Sequence, residues 1–156
     1  MDLPDIAGLP LHPLIVHALV VLLPLTAIAL VLGAIVPAAR RRLGAVTPLA
    51  ALLVLALVPV TILAGEDLKE TVGPLPAVEH HESLGRMLPP WAVALFVVAV
   101  AQWGWHRFRT SRPDAEPRRG DRVISAVLAV AAVIVAAGST VMIVLIGEAG
   151  ARSVWG

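Results

Sequence analysis

The chain has 156 residues, of which 58% are hydrophobic, 15% charged and 4% aromatic, and its formal net charge is +1. Soluble domains average about 25% charged and about 45–50% apolar residues, so this composition, with a mean hydropathy of +0.88, excludes an ordinary soluble fold. The chain has no cysteine, which removes disulfides, thiolate metal sites and Cys-ligated iron–sulfur clusters.

The apolar residues fall in blocks. A bilayer core about 30 Å thick needs about 20 apolar residues in a helix. Four blocks meet that length, at about 14–36, 45–64, 88–105 and 123–146. In hydrocarbon the backbone must satisfy its own hydrogen bonds, so each block is read as a helix. None alternates with period two, which argues against a β-barrel. The expected fold is all-α: one integral-membrane four-helix bundle spanning residues 1–156.

Residues 1–10 read as a lead-in loop. They carry Asp2 and Asp5 and no Lys or Arg, so no cleavable signal peptide is expected. Leu11-His12-Pro13-Leu14-Ile15-Val16-His17 opens helix 1. Pro13 suits a first turn, placing His12 at the cap and His17 about one turn inside. Pro24 should kink this helix. The turn that follows holds Arg40, Arg41 and Arg42.

Helix 2 leads into Gly65-Glu66-Asp67-Leu68-Lys69-Glu70 and then an irregular Gly/Pro loop. Val78-Glu79-His80-His81-Glu82-Ser83 reads as a short helical entry to helix 3. His80 and His81 lie ~100° apart on a helix, so one of them turns inward. Helix 3 ends in Trp103, Trp105 and Phe108. Indoles favour the headgroup zone, so these two Trp residues, and Trp155 at the other face, read as interface anchors. A second basic loop carries His106, Arg107, Arg109, Arg112, Arg118, Arg119 and Arg122. Helix 4 has Gly138, Ser139 and Thr140 near its middle, small residues that permit close packing.

The two basic loops hold nine of the twelve Lys/Arg and three of the eleven acids, a formal +6. The opposite side holds three bases and eight acids, a formal −5. The positive-inside rule makes the arginine loops, led by Arg40, Arg41, Arg42, Arg107 and Arg109, cytoplasmic. Both termini are then exoplasmic, and the protein is a multi-pass component of a bacterial cytoplasmic membrane.

This orientation gathers four of the five histidines, and most acids, at the exoplasmic rim. Neutral imidazoles with carboxylates suit Zn, Cu or Fe, and bundles build such sites from facing helices. The candidate ligands are His17 and His81, then His12, Glu82 and Glu148. His80, Glu79, Glu66, Asp67 and Arg152 are supporting or alternative groups, although solvation at a polar rim accounts equally well for several of them. A b-type haem held by His17 and His81 is the other cofactor reading. The two hairpins share a plan, and if they arose by duplication His17 and His81 are counterparts.

Several segments also resemble a family of uncharacterised bacterial membrane proteins, domain of unknown function twenty-two thirty-one. Leu11–His17 resembles its "HP-x-x-VH" opening. Gly65-Glu66 with Glu70 resembles its segment after helix 2. His81-Glu82-Ser83-Leu84-Gly85 resembles its "HE-x-x-G" entry, and Gly147–Gly156 its "G-x-x-GA-x-x-VW" close. The resemblance implies a four-helix membrane domain without an assigned activity. Some relatives occur beside Rieske-type modules, which implies membrane redox or haem chemistry. His17 and His81 are the positions carried over first. Glu148 departs from the family if His is the rule there.

The first functional expectation is therefore metal or haem binding for redox or metal handling. The alternative is a non-catalytic subunit or scaffold that docks another protein. A small transporter is weaker, because helices 2 and 4 carry no charge at mid-depth. No nucleophile–base–orienter set is evident, so the chain is not expected to be an enzyme on its own. Expected partners are the lipid bilayer, a separate redox or membrane protein and a second copy in a homo-oligomer; no nucleic acid is expected.

Overall fold

In the computed structural model, residues 11–73, 75–110 and 119–155 are described; the lead-in 1–10 and the loop 111–118, with Arg112 and Arg118, lie outside them. Six helices follow in order: α1 (Leu11–Ile35), α2 (Pro37–Leu43), α3 (Val46–Val72), α4 (Pro76–Gly85), α5 (Leu88–Thr110) and α6 (Arg119–Trp155). No strand occurs among the described residues. Four helices are long and apolar enough to cross a membrane. α3 and α6 run past their apolar blocks into polar sequence, because nothing breaks them before Gly73 and the end of the chain.

Proline placement explains the helix starts. Pro37 and Pro76 occupy first-turn positions of α2 and α4, and Pro89 and Pro90 do the same in α5. A missing N–H costs nothing there. Glycine explains two of the ends: Gly44 (φ 43°) follows α2 and Gly73 (φ 90°) follows α3, both in the left-handed region that suits residues without a Cβ. α1 and α3 continue through Pro24 and Pro59.

The four long helices form a ring. α1 packs on α3 and α6, α5 packs on the same two, and α1 and α5 face each other across the diagonal. Each contributes a stripe spaced by three and four residues: Leu19, Leu23, Ala27 and Leu30; Ala51, Val54, Val58 and Thr61; Leu88, Ala92, Leu95 and Ala99; Ala132, Val135, Ser139 and Met142. That 3–4 spacing is the pattern of a helix bundle seam. The outward faces carry exposed Leu25, Ile28, Leu49, Leu63, Val97, Val127, Ile134 and Val144. An apolar coat of this kind is untenable in water and is what a helix presents to lipid.

Polar groups inside the spans satisfy themselves locally. Thr26 Oγ1 donates to Leu22 O, Thr61 Oγ1 to Leu57 O and Ser139 Oγ to Val135 O, each at 2.7 Å. Gly138 has a more specific purpose than general closeness: the Trp91 indole of α5 occupies the space where a Cβ would stand.

Candidate functional site

One end of the bundle gathers histidines. His12 lies in the first turn of α1, and its Nδ1 is 2.9 Å from Thr61 O of α3. His81 lies in α4, and its Nδ1 is 3.0 Å from Ile146 O of α6. A carbonyl can only accept, so each imidazole donates Nδ1–H, and in the neutral ring each Nε2 keeps its lone pair. The two ring centroids are 6.1 Å apart with planes at 87°.

Both rings are seated on glycine. A Cβ at Gly65 would stand 2.9 Å from His12 Cε1 and 3.1 Å from its Nδ1; a Cβ at Gly150 would stand 3.1 and 3.3 Å from the same atoms of His81. In each case the glycine lies four residues, one helical turn, beyond the accepting carbonyl: Thr61 and Gly65, Ile146 and Gly150. In each case a buried alanine precedes it, Ala64 and Ala149. The His12–Thr61–Gly65 arrangement is thus repeated by His81–Ile146–Gly150. By contact geometry the counterpart of His81 is His12, not His17.

His17 is exposed, and its Nδ1 is 2.6 Å from Pro13 O in its own helix. The structure therefore sets His12, rather than His17, against His81. Of the adjacent pair in α4, His81 turns inward and His80 is exposed.

The acids are engaged with cations. Glu82 pairs with Lys69 Nζ of α3 at 2.6 Å and with Arg86 at 2.6 Å, and Arg86 reaches Glu66 at 3.2 Å. This network ties α3 to α4. The Lys69 hydrogen bond, aided by the charges of Lys69 and Arg86, holds the Glu82 carboxyl below the usual carboxylate range, against a smaller desolvation effect. Glu148 is exposed and pairs with Arg152 one turn on, at 2.6 Å. Glu79 is exposed. Asp67 is partly buried near the end of α3. Among the described residues no three His or acid side chains cluster as a ready metal site.

Two cofactor chemistries bear on this pair. A metal–imidazole bond is ~2.0–2.1 Å and the ring centre lies roughly 1 Å beyond the nitrogen, so two rings sharing one ion have centroids about 5–6 Å apart. The observed 6.1 Å is at the top of that range. Donation of Nδ1–H to a backbone carbonyl is also the support that metal-ligating histidines use. A porphyrin needs a plate-shaped opening as well. The cavity of about 420 Å³ lies at the opposite end of the bundle, and the recess of about 540 Å³ is lined by Glu66, Lys69, Glu70, Gly73 and Arg86. Neither is lined by His12 or His81. The centroid separation thus lies at the top of the range for two rings sharing one ion, and neither of these two cavities adjoins the pair.

The other end gathers arginines. Arg40 Nε donates to Gly33 O at 2.8 Å and its Nη2 to Ala34 O at 2.6 Å, closing the last turn of α1. Arg109 pairs with Asp121 at 2.7 Å. Trp103 and Trp155 are exposed. Trp105 is half-buried, with Nε1 donating to Ser125 Oγ at 3.0 Å and its ring stacked on Phe108. It ties α5 to α6. Gln102, a buried amide that the sequence reading passed over, reaches across to α1; with donors matched to acceptors its nitrogen gives to Leu30 O at 3.2 Å.

The fold and these sites define an all-helical protein with four apolar helices suited to a bilayer, a multi-pass membrane protein. The chain belongs to the family described as "Predicted membrane protein (DUF2231)", which matches it over residues 8–156. No curated protein and no solved structure matches it.

Sequence reasoning missed Thr61, Ile146, Gly65 and Gly150 as site components. The signal was present as an Ala-Gly pair late in each hairpin, but backbone acceptors leave no mark on side-chain chemistry.

Proposed function

We propose that this protein binds a transition-metal ion between His12 and His81 at the exoplasmic end of a multi-pass membrane bundle, for metal handling or membrane redox work with a partner. The observation that carries this is the matched orientation of the two imidazoles. Each gives Nδ1–H to a backbone carbonyl of a facing helix, and their centroids lie 6.1 Å apart. Two imidazoles leave coordination positions open, which suits an ion that is received and passed on more than one locked in a structural cage. Water or a partner's side chain completes the sphere. The exoplasmic placement rests on the +6 and −5 charge asymmetry of the two faces.

The test is titration of the purified protein in detergent with Zn²⁺, Cu²⁺ and Ni²⁺, read by calorimetry and by metal content after desalting. One ion per chain is expected. His12→Ala and His81→Ala should each abolish retention, while His17→Ala should keep it. Absence of stoichiometric binding, or loss with His17→Ala and not with His12→Ala, overturns the assignment.

A further inference from the structure

The class of ion that suits His12 and His81 can be narrowed, and the inference rests on the proposed reading of that pair as an ion site. Each seat holds its imidazole in two ways. Nδ1–H is bonded to Thr61 O or Ile146 O, at 2.9 and 3.0 Å, and the ring lies against Gly65 or Gly150. The separation of the rings is therefore set by the folded chain before any ion arrives.

That separation bears on the angle at a shared ion. With metal–nitrogen bonds of about 2.0–2.1 Å, two imidazoles on a straight N–metal–N line have centroids about 6 Å apart, and at the tetrahedral angle about 5 Å apart. The centroids of His12 and His81 are 6.1 Å apart, with planes at 87°. The distance matches the straight line. Turning one ring about that line changes neither bond, so perpendicular planes are compatible with it. A tetrahedral ion would have to draw the rings together by about 1 Å, and the seats would have to yield.

The donor count agrees. Among the described residues no third His, Asp or Glu groups with the pair. Glu82 is held by Lys69 and Arg86, Glu148 by Arg152, and His17 by its own helix. Two neutral nitrogens leave the whole charge of an ion uncancelled beside partly buried rings. The cost of desolvating an ion rises with the square of its charge, which favours a monovalent ion over a divalent one. Zn²⁺ takes four donors, two of which water or a partner would have to bring. A closed-shell monovalent ion such as Cu⁺ is satisfied by two donors in line, and imidazole is a donor that copper accepts.

We propose that the pair is a linear, two-coordinate site for Cu⁺, with Nε2 of His12 and Nε2 of His81 on opposite sides of the ion.

The experiment uses the full chain in detergent, kept free of oxygen with excess ascorbate, and offers it Cu⁺, Ag⁺ and Zn²⁺. Ag⁺ shares the charge, the closed shell and the linear preference of Cu⁺ and needs no reductant. One Cu⁺ or one Ag⁺ per chain should survive desalting, and equimolar Zn²⁺ should displace neither. X-ray absorption at the copper edge should give two nitrogen neighbours and the strong pre-edge peak of a linear Cu⁺ ion, a readout that needs no variant. His12→Ala and His81→Ala should each lose the ion, and His17→Ala should keep it. Three or four neighbours on copper, or Zn²⁺ held through His12 and His81 in preference to Cu⁺, overturns the linear Cu⁺ site and leaves an ion site of another geometry at the same pair. Retention of none of the three ions, or Cu⁺ retention unchanged in both His12→Ala and His81→Ala, overturns the ion site itself.

Discussion

Replacing Gly65 by Ala tests the histidine seat directly. Gly65 lies inside α3, where Ala is intrinsically favoured over Gly by about 0.8–1 kcal/mol. Propensity alone therefore predicts a stabilised protein. The structure predicts the reverse. The new methyl would stand 2.9 Å from His12 Cε1, and ordinary contact begins at 3.4 Å, so the ring must retreat by about 0.5 Å. The Nδ1–Thr61 O distance then grows from 2.9 Å to about 3.4 Å, beyond useful N–H···O range. Loss of the hydrogen bond costs about 0.5–1.5 kcal/mol and forced repacking about 1–3 kcal/mol. After the propensity gain, a net destabilisation of about 0.5–3.5 kcal/mol remains. Gly150→Ala asks for a smaller retreat, since its Cβ would stand 3.1 Å from His81 Cε1, and should cost less. Gly104→Ala and Gly147→Ala are the controls: both are helical, and nothing lies within 4 Å of the added methyl. Thermal melting in one detergent, followed by circular dichroism, ranks the four. The expected order from least to most stable is Gly65→Ala, Gly150→Ala, then the two controls at or above wild type. A Gly65→Ala protein as stable as Gly104→Ala would refute the seat, and with it the orientation of His12.

Three further outcomes follow from the same structure. Gly138→Ala drives a methyl into the Trp91 ring and should destabilise by about 1–3 kcal/mol; adding Trp91→Leu should recover part of the loss in the same melting assay, and failure to do so would place the clash elsewhere. Glu82 has a depressed folded-state pKa, so its pairing stabilises the protein above the ordinary carboxylate pKa and is lost as pH falls through the lowered folded value. The melting-temperature gap between wild type and Glu82→Gln should accordingly be open at pH 7 and close in acid; a gap independent of pH would show that the Lys69 and Arg86 pairs contribute nothing. Because the chain has no cysteine, single replacements report topology cleanly. Ser83→Cys should react with a membrane-impermeant maleimide in intact cells and Gly120→Cys only after permeabilisation, and the opposite pattern would invert the orientation.

The fold was legible because its cause is crude. Twenty apolar residues in a row have one solution in a bilayer, and four such runs separated by Pro, Gly and Arg announce four crossings. The short entry helix at His80-His81 was legible too, since Pro76 starts it. The site was legible at the level of residue type and not of geometry. An imidazole one turn inside an apolar helix, as at His17, calls for a partner. Its Nδ1 instead finds Pro13 O in its own helix, a local solution available to any residue one turn along. The weight of His12, at the helix start, comes from a carbonyl of α3 49 positions away, which no periodicity encodes. The same holds for Gly65 and Gly150, whose value lies in what they leave empty.

The repeated seat also bears on how the two hairpins meet. His12 belongs to the first hairpin and His81 to the entry of the second, yet each donates to a helix that closes its own half, α3 and α6. Neither imidazole is positioned by the other. The two halves each present a pre-set ring, and the ring-to-ring contact at 6.1 Å is where they meet. On the proposed reading, an ion shared by the two rings would couple the hairpins without rebuilding either. Moving the halves apart by about 1 Å would spoil shared coordination, because metal–nitrogen distances are held to within about 0.2 Å.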